Sequence, residues 1–433
     1  MRGYLTSPLG VAVSAALVLP ALLTSGAAAA PRVPEPDIPG STRSLPLAPA
    51  DPMTRSAAPD TERRLSHPRV SPFSLVGVVW DDARAELHGT AQVRTRSIAT
   101  GAWSRWRSIE THNHEHGADP GTAENRAARG STAPLWVGPS NGVEVRVRAG
   151  TDTGPVPLPQ GLRLELVDPG EAPAVTAAAP GIGTVTGPLP PGVPGFSVTG
   201  PMGTVAGPKA PAAKPAPIAP EAVPAQAAAK PYIGPRPKIV TRKGWGASES
   251  LREKGFVYST TVKAAFVHHS ATGNSYTCKQ APSVLRSIYR YHVVSSGWRD
   301  IGYNFAVDKC GNVYEGRAGG VTKAVRGAHT LGFNTNTMGI AVLGTYSTTK
   351  PPAAAVTAVA KLTAWKLGLF KRNPKGKVTL TSGGSGKYAK GRKVSFQVIS
   401  GHRDGFLTDC PGTRLYNTLG STRTASAKLQ GRS

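Results

Sequence analysis

Two residues near the end of the chain have side chains typical of metal ligands. His402 and Cys410 lie in the stretch VISGHRDGFLTDCPG (398–412), in which residues 398–399 have the apolar character of a buried strand and the following residues are typical of a loop. An imidazole nitrogen and a thiolate sulfur are both preferred donors to zinc. The alternative is a loop histidine beside half of a disulfide, and spacing alone favours that alternative.

A zinc site needs a third donor, and the segment FVHHSA supplies two candidates, His268 and His269, which close the apolar strand predicted over 264–267. The segment THNHEHG is also rich in imidazoles, and a metal site there is an open alternative. No acidic or cysteine partner has obvious spacing, so a solvated loop is the favoured interpretation. Its histidines are His112, His114 and His116.

The composition indicates several domains and a polyanionic environment. A chain of 433 residues has room for two or three domains, and 40 prolines with 50 glycines predict a long unstructured segment. The formal net charge of +26 suits nucleic acid, anionic lipid or anionic wall polymers. The sequence has no uninterrupted basic block or aromatic–basic stripe, so a specific nucleic-acid partner is not expected.

The first residues are typical of a signal peptide. Arg2 precedes an apolar run over 9–23, and small residues follow over 25–30. The run is too short and too rich in alanine for a membrane span, and no other stretch could cross a membrane. We therefore expect residues 1–30 to be removed and the mature protein to be secreted, extracellular or held in a cell wall.

Export gives the cysteine count a meaning. The chain has three cysteines, and an odd number in an oxidising compartment leaves one thiol to explain. If Cys278 pairs with Cys310, Cys410 is the free thiol. Metal ligation would explain why Cys410 stays reduced.

Changes in composition and hydrophobic pattern along the chain predict its domains. Residues 31–70 are proline-rich and polar, which predicts a flexible lead-in. Residues 71–169 alternate in strand fashion, which predicts a separate, small all-β domain whose role is open. Residues 170–238 form a disordered linker rich in Pro, Ala and Gly. In residues 239–425, strands interleaved with helices predict an α/β domain with a mixed central sheet flanked by helices.

Four ordered segments of that last domain resemble the family of peptidoglycan-recognition proteins and phage-type zinc N-acetylmuramoyl-L-alanine amidases. They are FVHHSATG (266–273), GWRDIGYNFAVDKCGNVYEGR (297–317), GAHTLGFNTNTMGIAVLGTY (327–346) and GHRDGFLTDCPG (401–412). The layout also looks like secreted actinobacterial members. The resemblance implies a monomeric Zn²⁺ enzyme in which a zinc-bound water hydrolyses the amide between the muramyl lactyl group and L-Ala of peptidoglycan.

The resemblance also implies roles for individual residues. It makes His268, His402 and Cys410 the zinc ligands and Tyr303 the essential tyrosine, although a core tyrosine with a hydrogen-bonded hydroxyl is the alternative. Thr408 stands where phage enzymes carry a catalytic lysine. A threonine hydroxyl is a poor proton shuttle at neutral pH, so the group that moves the proton is left open.

Further matches concern the substrate. The resemblance places His269, His292 and His329 in the groove that holds the muramyl-peptide, although packing and loop capping are alternatives for the last two. Gly297, Trp298 and Arg317 match positions that favour diaminopimelate over lysine, because a guanidinium can bind the extra carboxylate of diaminopimelate bidentately. Cys278 and Cys310 depart from the usual disulfide positions of animal members. A bridge between the first loop and the hairpin turn is still expected.

Two other functions compete with the enzyme. One is a peptidoglycan-binding protein of the same fold without catalysis, in which the cysteine ligand is typically lost. The other is a polycationic nucleic-acid or envelope protein, which rests on charge alone. The presence of all three predicted ligands together with Tyr303 favours the amidase.

Overall fold

The computed structural model describes residues 38–50, 61–150, 156–171 and 232–433. The predicted signal peptide (1–30) and most of the predicted linker (170–238) lie outside the described residues. Among the helices in the described ranges, none combines the length and apolar character needed to cross a bilayer.

The N-terminal part is all-β, as predicted. Nine strands form one continuous sheet in which β1, β9, β4, β8, β3 and β2 lie side by side, while β5 pairs with β8 and β6, and β7 pairs with β4. One short helix, α1 (Ala123–Ala127), follows β6. The strands are β1 (Ser41–Pro46), β2 (Ala48–Pro49), β3 (Glu62–His67), β4 (Phe73–Trp80), β5 (Gly89–Ser97), β6 (Arg107–Ile109), β7 (Gly130–Ser131), β8 (Leu135–Ala149) and β9 (Arg163–Asp168).

The prediction of a flexible lead-in over 31–70 is wrong for its described part. β1 pairs antiparallel with β9, and β3 pairs antiparallel with β8 over six residues. Both strands lie near the sheet margin and expose much of their surface. Their polar composition therefore resembles that of a linker, although backbone pairing holds them in the domain.

The C-terminal part contains the predicted mixed central sheet with helices. The strand order is β10, β13, β12, β14, β11, β17, and only β12 and β13 pair antiparallel. The elements are β10 (Ile239–Val240), α2 (Arg242–Trp245), β11 (Ala264–His269), a 3₁₀ turn (Cys278–Gln280), α3 (Ala281–Arg290), a π-helical turn (Tyr291–Ser295), β12 (Phe305–Val307), β13 (Val313–Glu315), β14 (Thr337–Val342), α4 (Ala353–Leu369), β15 (Lys377–Thr381), β16 (Lys393–Gln397), β17 (Ile399–Gly401), α5 (His402–Gly405), α6 (Thr413–Tyr416) and α7 (Leu419–Leu429). Because α7 ends at Leu429, the domain continues past the predicted limit of 425.

The order of the parallel strands decides where polar side chains can gather. β11 lies between β14 and β17 and runs parallel to both. The carboxyl ends of parallel strands meet at one edge of a sheet, where the chain leaves to form loops and sites. His268 and His269 end β11 and His402 directly follows β17, so all three reach the same edge.

Cys278 and Cys310 form a disulfide, as predicted. It joins the 3₁₀ turn before α3 to the turn between β12 and β13 across 32 residues, with 6.2 Å between the two Cα atoms. Cys410 is the remaining, free cysteine, and it is buried.

Helices cover both faces of the central sheet. α4 and α7 pack on one face through residues such as Val359, Leu362 and Leu419. On the other face, α3 begins with a proline in its first turn and buries Leu285 and Ile288.

The all-β domain packs directly on α3. Both faces of β4 are buried. Val76 and Val78 point into the core of the β domain, whereas Leu75 and Val79 join the hydrophobic cluster that contains Leu285 of α3. One continuous hydrophobic cluster therefore belongs to both domains.

Tyr291 provides a polar contact at this interface. Its ring is fully buried, and its hydroxyl donates to the carbonyl of Thr132 at 3.0 Å and lies 3.4 Å from the carbonyl of Val78. Gly77 lies against the ring, and a Cβ atom there would overlap the tyrosine. Tyr291 of the amidase domain thus supplies a hydrogen-bond donor to carbonyl groups of the β domain.

We expect Tyr291→Phe to lower the free energy of unfolding by about 1–2 kcal/mol, because the carbonyl of Thr132 would remain buried without its donor. Urea denaturation of the full chain measures this loss. The matched control is Tyr258→Phe, because the Tyr258 hydroxyl donates to Gly319 in an exposed position. A control change below about 0.5 kcal/mol is expected. An equal loss of unfolding free energy in the two variants would show that the hydrogen bond from Tyr291 to Thr132 does not stabilise the interface.

Candidate metal centre

The three predicted zinc ligands converge at the edge of the central sheet. His268 Nδ1 lies 3.7 Å from Cys410 Sγ, and the rings of His268 and His402 are 4.5 Å apart between centroids. All three side chains are buried. The geometry therefore brings together residues that are 142 positions apart along the chain.

The donor set fits a tetrahedral zinc ion. Zn–S and Zn–N bonds of about 2.3 and 2.0–2.1 Å separate neighbouring ligand atoms by roughly 3.3–3.6 Å, close to the spacing of His268 and Cys410. Both ring nitrogens of His402 are buried without a hydrogen-bond partner among the described residues. Such a group is unfavourable unless something binds it, and a metal ion would do so.

Burial sets the protonation of these groups. The pKa of His268 and that of His402 lie well below the ordinary value, first because burial disfavours the imidazolium and then because neighbouring histidines repel its charge. Both imidazoles are therefore neutral and able to bind a cation. Burial raises the pKa of the Cys410 thiol. A bound cation would counter that effect, because a metal binds the thiolate form.

His329 lies beneath the site, in contact with a predicted ligand. Its Nδ1 is 3.2 Å from His268 Nε2, and its Nε2 is 3.5 Å from the Thr337 hydroxyl, which donates to the carbonyl of Phe333. Ligation through His268 Nδ1 leaves the proton on Nε2, which then donates to His329. The chain of contacts thus holds His268 in the tautomer that a metal requires. His329 is fully buried, so its proposed contact with substrate stays a prediction.

A fourth imidazole, which the sequence did not predict here, lies among the ligand atoms. Nε2 of His116 is 3.9 Å from Cys410 Sγ, and its ring centroid is 4.5 Å from that of His402. Its side chain is only 8% exposed. One donor atom from each of His116, His268, His402 and Cys410 lies within 4.8 Å of the others. For His116, the preference for a solvated loop is therefore wrong.

The predicted catalytic side chains border the same cluster. The Tyr303 ring is 5.5 Å from that of His268, and burial raises the pKa of its hydroxyl, so it stays protonated as a hydrogen-bond donor. The Thr408 hydroxyl accepts from the backbone N–H of Cys410 and donates to Oε1 of Glu115 at 2.7 Å. Glu115 belongs to the β domain, and burial raises its pKa to about 7.

The predicted substrate residues surround the cluster. His269 lines a cavity of about 340 Å³ next to Tyr303 and Cys410. The ring of His292 stacks on that of Trp298 with 4.3 Å between centroids.

The remaining two substrate positions contact the β domain. Gly297 has a φ of +75°, and a side chain there would meet the carbonyl of Ala127. The guanidinium of Arg317 donates to both carboxylate oxygens of Glu124, at 3.0 and 2.6 Å.

Comparison with known protein families agrees with this division into two domains. Residues 31–178 match the family described as Rv3811 N-terminal galactose-binding domain-like. Residues 258–413 match the family described as N-acetylmuramoyl-L-alanine amidase. The first match includes the strands that precede residue 71, in agreement with the structure.

Individual relatives identify the family. The chain is 32% identical over 181 residues to peptidoglycan-recognition protein SC2 of Drosophila simulans, covering 42% of this chain and 84% of the relative. It is 32% identical over 190 residues to a human N-acetylmuramoyl-L-alanine amidase, covering 28% of that protein. The solved structure of Drosophila PGRP-LB is 26% identical, covers 42% of this chain and 93% of its own, and superposes with a TM-score of 0.34. The chain belongs to the peptidoglycan-recognition-protein and amidase family.

We expect His329→Ala to weaken zinc binding about 10–100-fold, because His268 would lose the group that orients it. Competition with a chromophoric chelator measures the affinity. The matched control is His88→Ala, since His88 is an exposed histidine of the β domain that pairs with Glu86. Unchanged zinc affinity in His329→Ala would show that the contact between the two rings has no role in ligation.

Proposed function

We propose that this protein is a secreted, zinc-dependent N-acetylmuramoyl-L-alanine amidase that cleaves the amide between the muramyl lactyl group and L-Ala of peptidoglycan. The observation that carries the proposal is the convergence of His268, His402 and Cys410 beside Tyr303 at one sheet edge. The family match over 258–413 and the amidase relative support it.

The proposed chemistry divides among few groups. His268, His402 and Cys410 would hold zinc, which when bound supplies Lewis acidity toward a water molecule and the scissile carbonyl. Tyr303 donates a hydrogen bond to the oxygen on which negative charge develops. Thr408 is a second donor at the same edge. Its hydroxyl does not shuttle protons at neutral pH, so no proton transfer is assigned to it.

A peptidoglycan-binding protein without catalysis is the second candidate, because relatives are named for peptidoglycan recognition. Cys410 favours the enzyme. It is buried and free beside two neutral imidazoles, an arrangement that suits a metal ligand. The net charge of +26 fits anionic wall polymers around the exported protein.

Arg317 is proposed to bind the extra carboxylate of diaminopimelate, together with Gly297 and Trp298. In the structure, the guanidinium of Arg317 binds the carboxylate of Glu124 bidentately. The site therefore has the geometry for such a group. Nε of Arg317 also donates to the carbonyl of Ile301 at 2.9 Å, which fixes the orientation of the guanidinium.

Purified sacculi digested with the zinc-loaded chain should gain new N-terminal L-alanine. Cys410→Ala should abolish this release and weaken zinc binding, because the site loses its thiolate donor. Tyr303→Phe should lower kcat by about 100–1,000-fold with zinc retained, because the loss of one oxyanion donor has that effect. Tyr258→Phe, which alters an exposed tyrosine, should match the wild type.

The same digestion includes His116→Ala, because the imidazole of His116 lies against the predicted ligand atoms. The wild type and His116→Ala are both tested in their zinc-loaded forms. If both bind sacculi but neither releases N-terminal alanine, the amidase is rejected and the binding protein is favoured. A chain that binds no zinc would reject the metal centre itself.

Arg317→Lys should reduce the ratio of kcat/KM for diaminopimelate over lysine muropeptides at least about 10-fold, because lysine cannot form the bidentate pair. The ratio compares two substrates on one protein, so it does not depend on the fraction of molecules whose site is open to substrate. Arg148→Lys, at a surface pair with Glu62, is the control. Equal ratios before and after Arg317→Lys would contradict the proposed contact.

A further inference from the structure

One segment of the β domain enters the amidase site. We name residues 111–122 the inserted segment; it leads directly into α1. The inserted segment places Glu115 and His116 in the lining of the 340 Å³ cavity that Tyr303 and Cys410 also line. That volume is near the lower limit of small-ligand pockets, roughly 300–1,000 Å³, and a glycan strand with its stem peptide is larger than a small ligand.

The inserted segment contacts the groups on which the proposed chemistry depends. Nε2 of His116 lies at 3.9 Å from Cys410 Sγ, and the hydroxyl of Thr408 is bonded to Glu115 at 2.7 Å. A catalytic zinc has three protein ligands and keeps its fourth position open, whereas a zinc with four protein ligands is closed. His116 is placed to supply the fourth ligand.

The next turn of the β domain contacts the substrate side of the site. Glu124 in α1 forms the buried bidentate pair with Arg317, and both side chains are less than 10% exposed. Burial alone would raise the pKa of Glu124, but the charge and hydrogen bonds of Arg317 outweigh it and lower the pKa. The carboxylate of Glu124 thus takes the place proposed for the substrate carboxylate.

Specific bonds hold the inserted segment in position. Oδ1 of Asp119 accepts from the backbone of Gly332 at 2.9 Å and from the side chain of Asn334 at 2.8 Å. Asn334 also donates to the carbonyl of Gly117 at 2.8 Å, and the carbonyl of Glu115 accepts from Leu331. The amidase residues in these contacts belong to the loop between β13 and β14. This loop therefore forms a specific binding surface for the inserted segment.

We propose that the N-terminal domain is an inhibitory domain of this protein: the inserted segment closes the site, with His116 as fourth zinc ligand and Glu124 in the substrate's carboxylate position. The proposal rests on the metal centre proposed above. Peptidoglycan can enter only when the inserted segment leaves. Because one chain carries both domains, a displaced segment stays at high effective concentration and can return.

X-ray absorption at the zinc edge of the full chain tests the ligation directly. The wild type should show three imidazoles and one sulfur, whereas His116→Ala should show two imidazoles, one sulfur and an oxygen donor. His88→Ala is the matched control, because His88 is an exposed histidine of the β domain outside the inserted segment. It should show the wild-type spectrum. A wild-type centre with two imidazoles and a water ligand would overturn the proposal.

Digestion of sacculi provides the second readout. His116→Ala should release N-terminal alanine at least about 10-fold faster than the wild type, and His88→Ala at the wild-type rate. Slower release from His116→Ala, with circular dichroism showing a folded chain, would overturn the proposal and indicate that the segment contributes to catalysis.

Glu124→Gln is a second variant that leaves the metal cluster intact. It should increase amide hydrogen exchange across residues 111–122 and raise the rate of release, because a buried arginine loses its charged partner. Unchanged exchange and rate would contradict the latching role of the pair. If Cys410→Ala weakens zinc binding while His116→Ala leaves ligation unchanged, the metal centre stands and the inhibitory domain falls. If no variant binds zinc, the proposed function falls.

Discussion

The structure depends on the burial of several imidazoles and one thiol at a single sheet edge. Neutral imidazoles packed this closely cannot become charged, and both ring nitrogens of His402 lie buried without a hydrogen-bond partner among the described residues. Burying such groups is unfavourable unless they are bound. A divalent cation would resolve the conflict, because it would bind neutral nitrogens and the thiolate together. The parallel order of β11 and β17 is what makes the cluster possible, since it brings His268 and His402 to the same end of the sheet.

The second constraint is the shared hydrophobic cluster around α3. β4 is buried along its whole length and mostly apolar, and a strand of this kind needs a covering layer on each face. The core of the β domain covers one face and α3 covers the other. This packing sets the orientation of the β domain, and with it the position of the inserted segment over the amidase site. The hydroxyl of Tyr291 and the absent side chain of Gly77 allow the two surfaces to meet without an unmatched carbonyl group.

The mixed sheet and the candidate ligands could be predicted from local sequence patterns, because each depends on residues that are neighbours in the chain. One apolar run that ends in HHS and another that precedes GHRDG indicated that the candidate ligands lie at strand ends, and interleaved strands and helices indicated the mixed sheet. The position of His116 could not be predicted, since its role arises from the packing of one domain on another. One indication was present: FSLVGVVW (73–80) is apolar on both faces, which predicts a covering partner. The strands before residue 71 were missed because edge strands tolerate polar residues and proline.

The contacts of the inserted segment differ from ordinary domain packing in their chemistry. An interface that serves stability alone would be expected to bury apolar groups at its centre, whereas here an imidazole faces the predicted metal ligands and a carboxylate faces Arg317. Each of these two groups resembles what the open site would bind, namely a metal donor and an anionic stem peptide. Two such coincidences, one in the inserted segment and one in α1, are difficult to explain by stability, because a buried ion pair contributes little to it. They follow directly if the segment occupies the site in place of substrate.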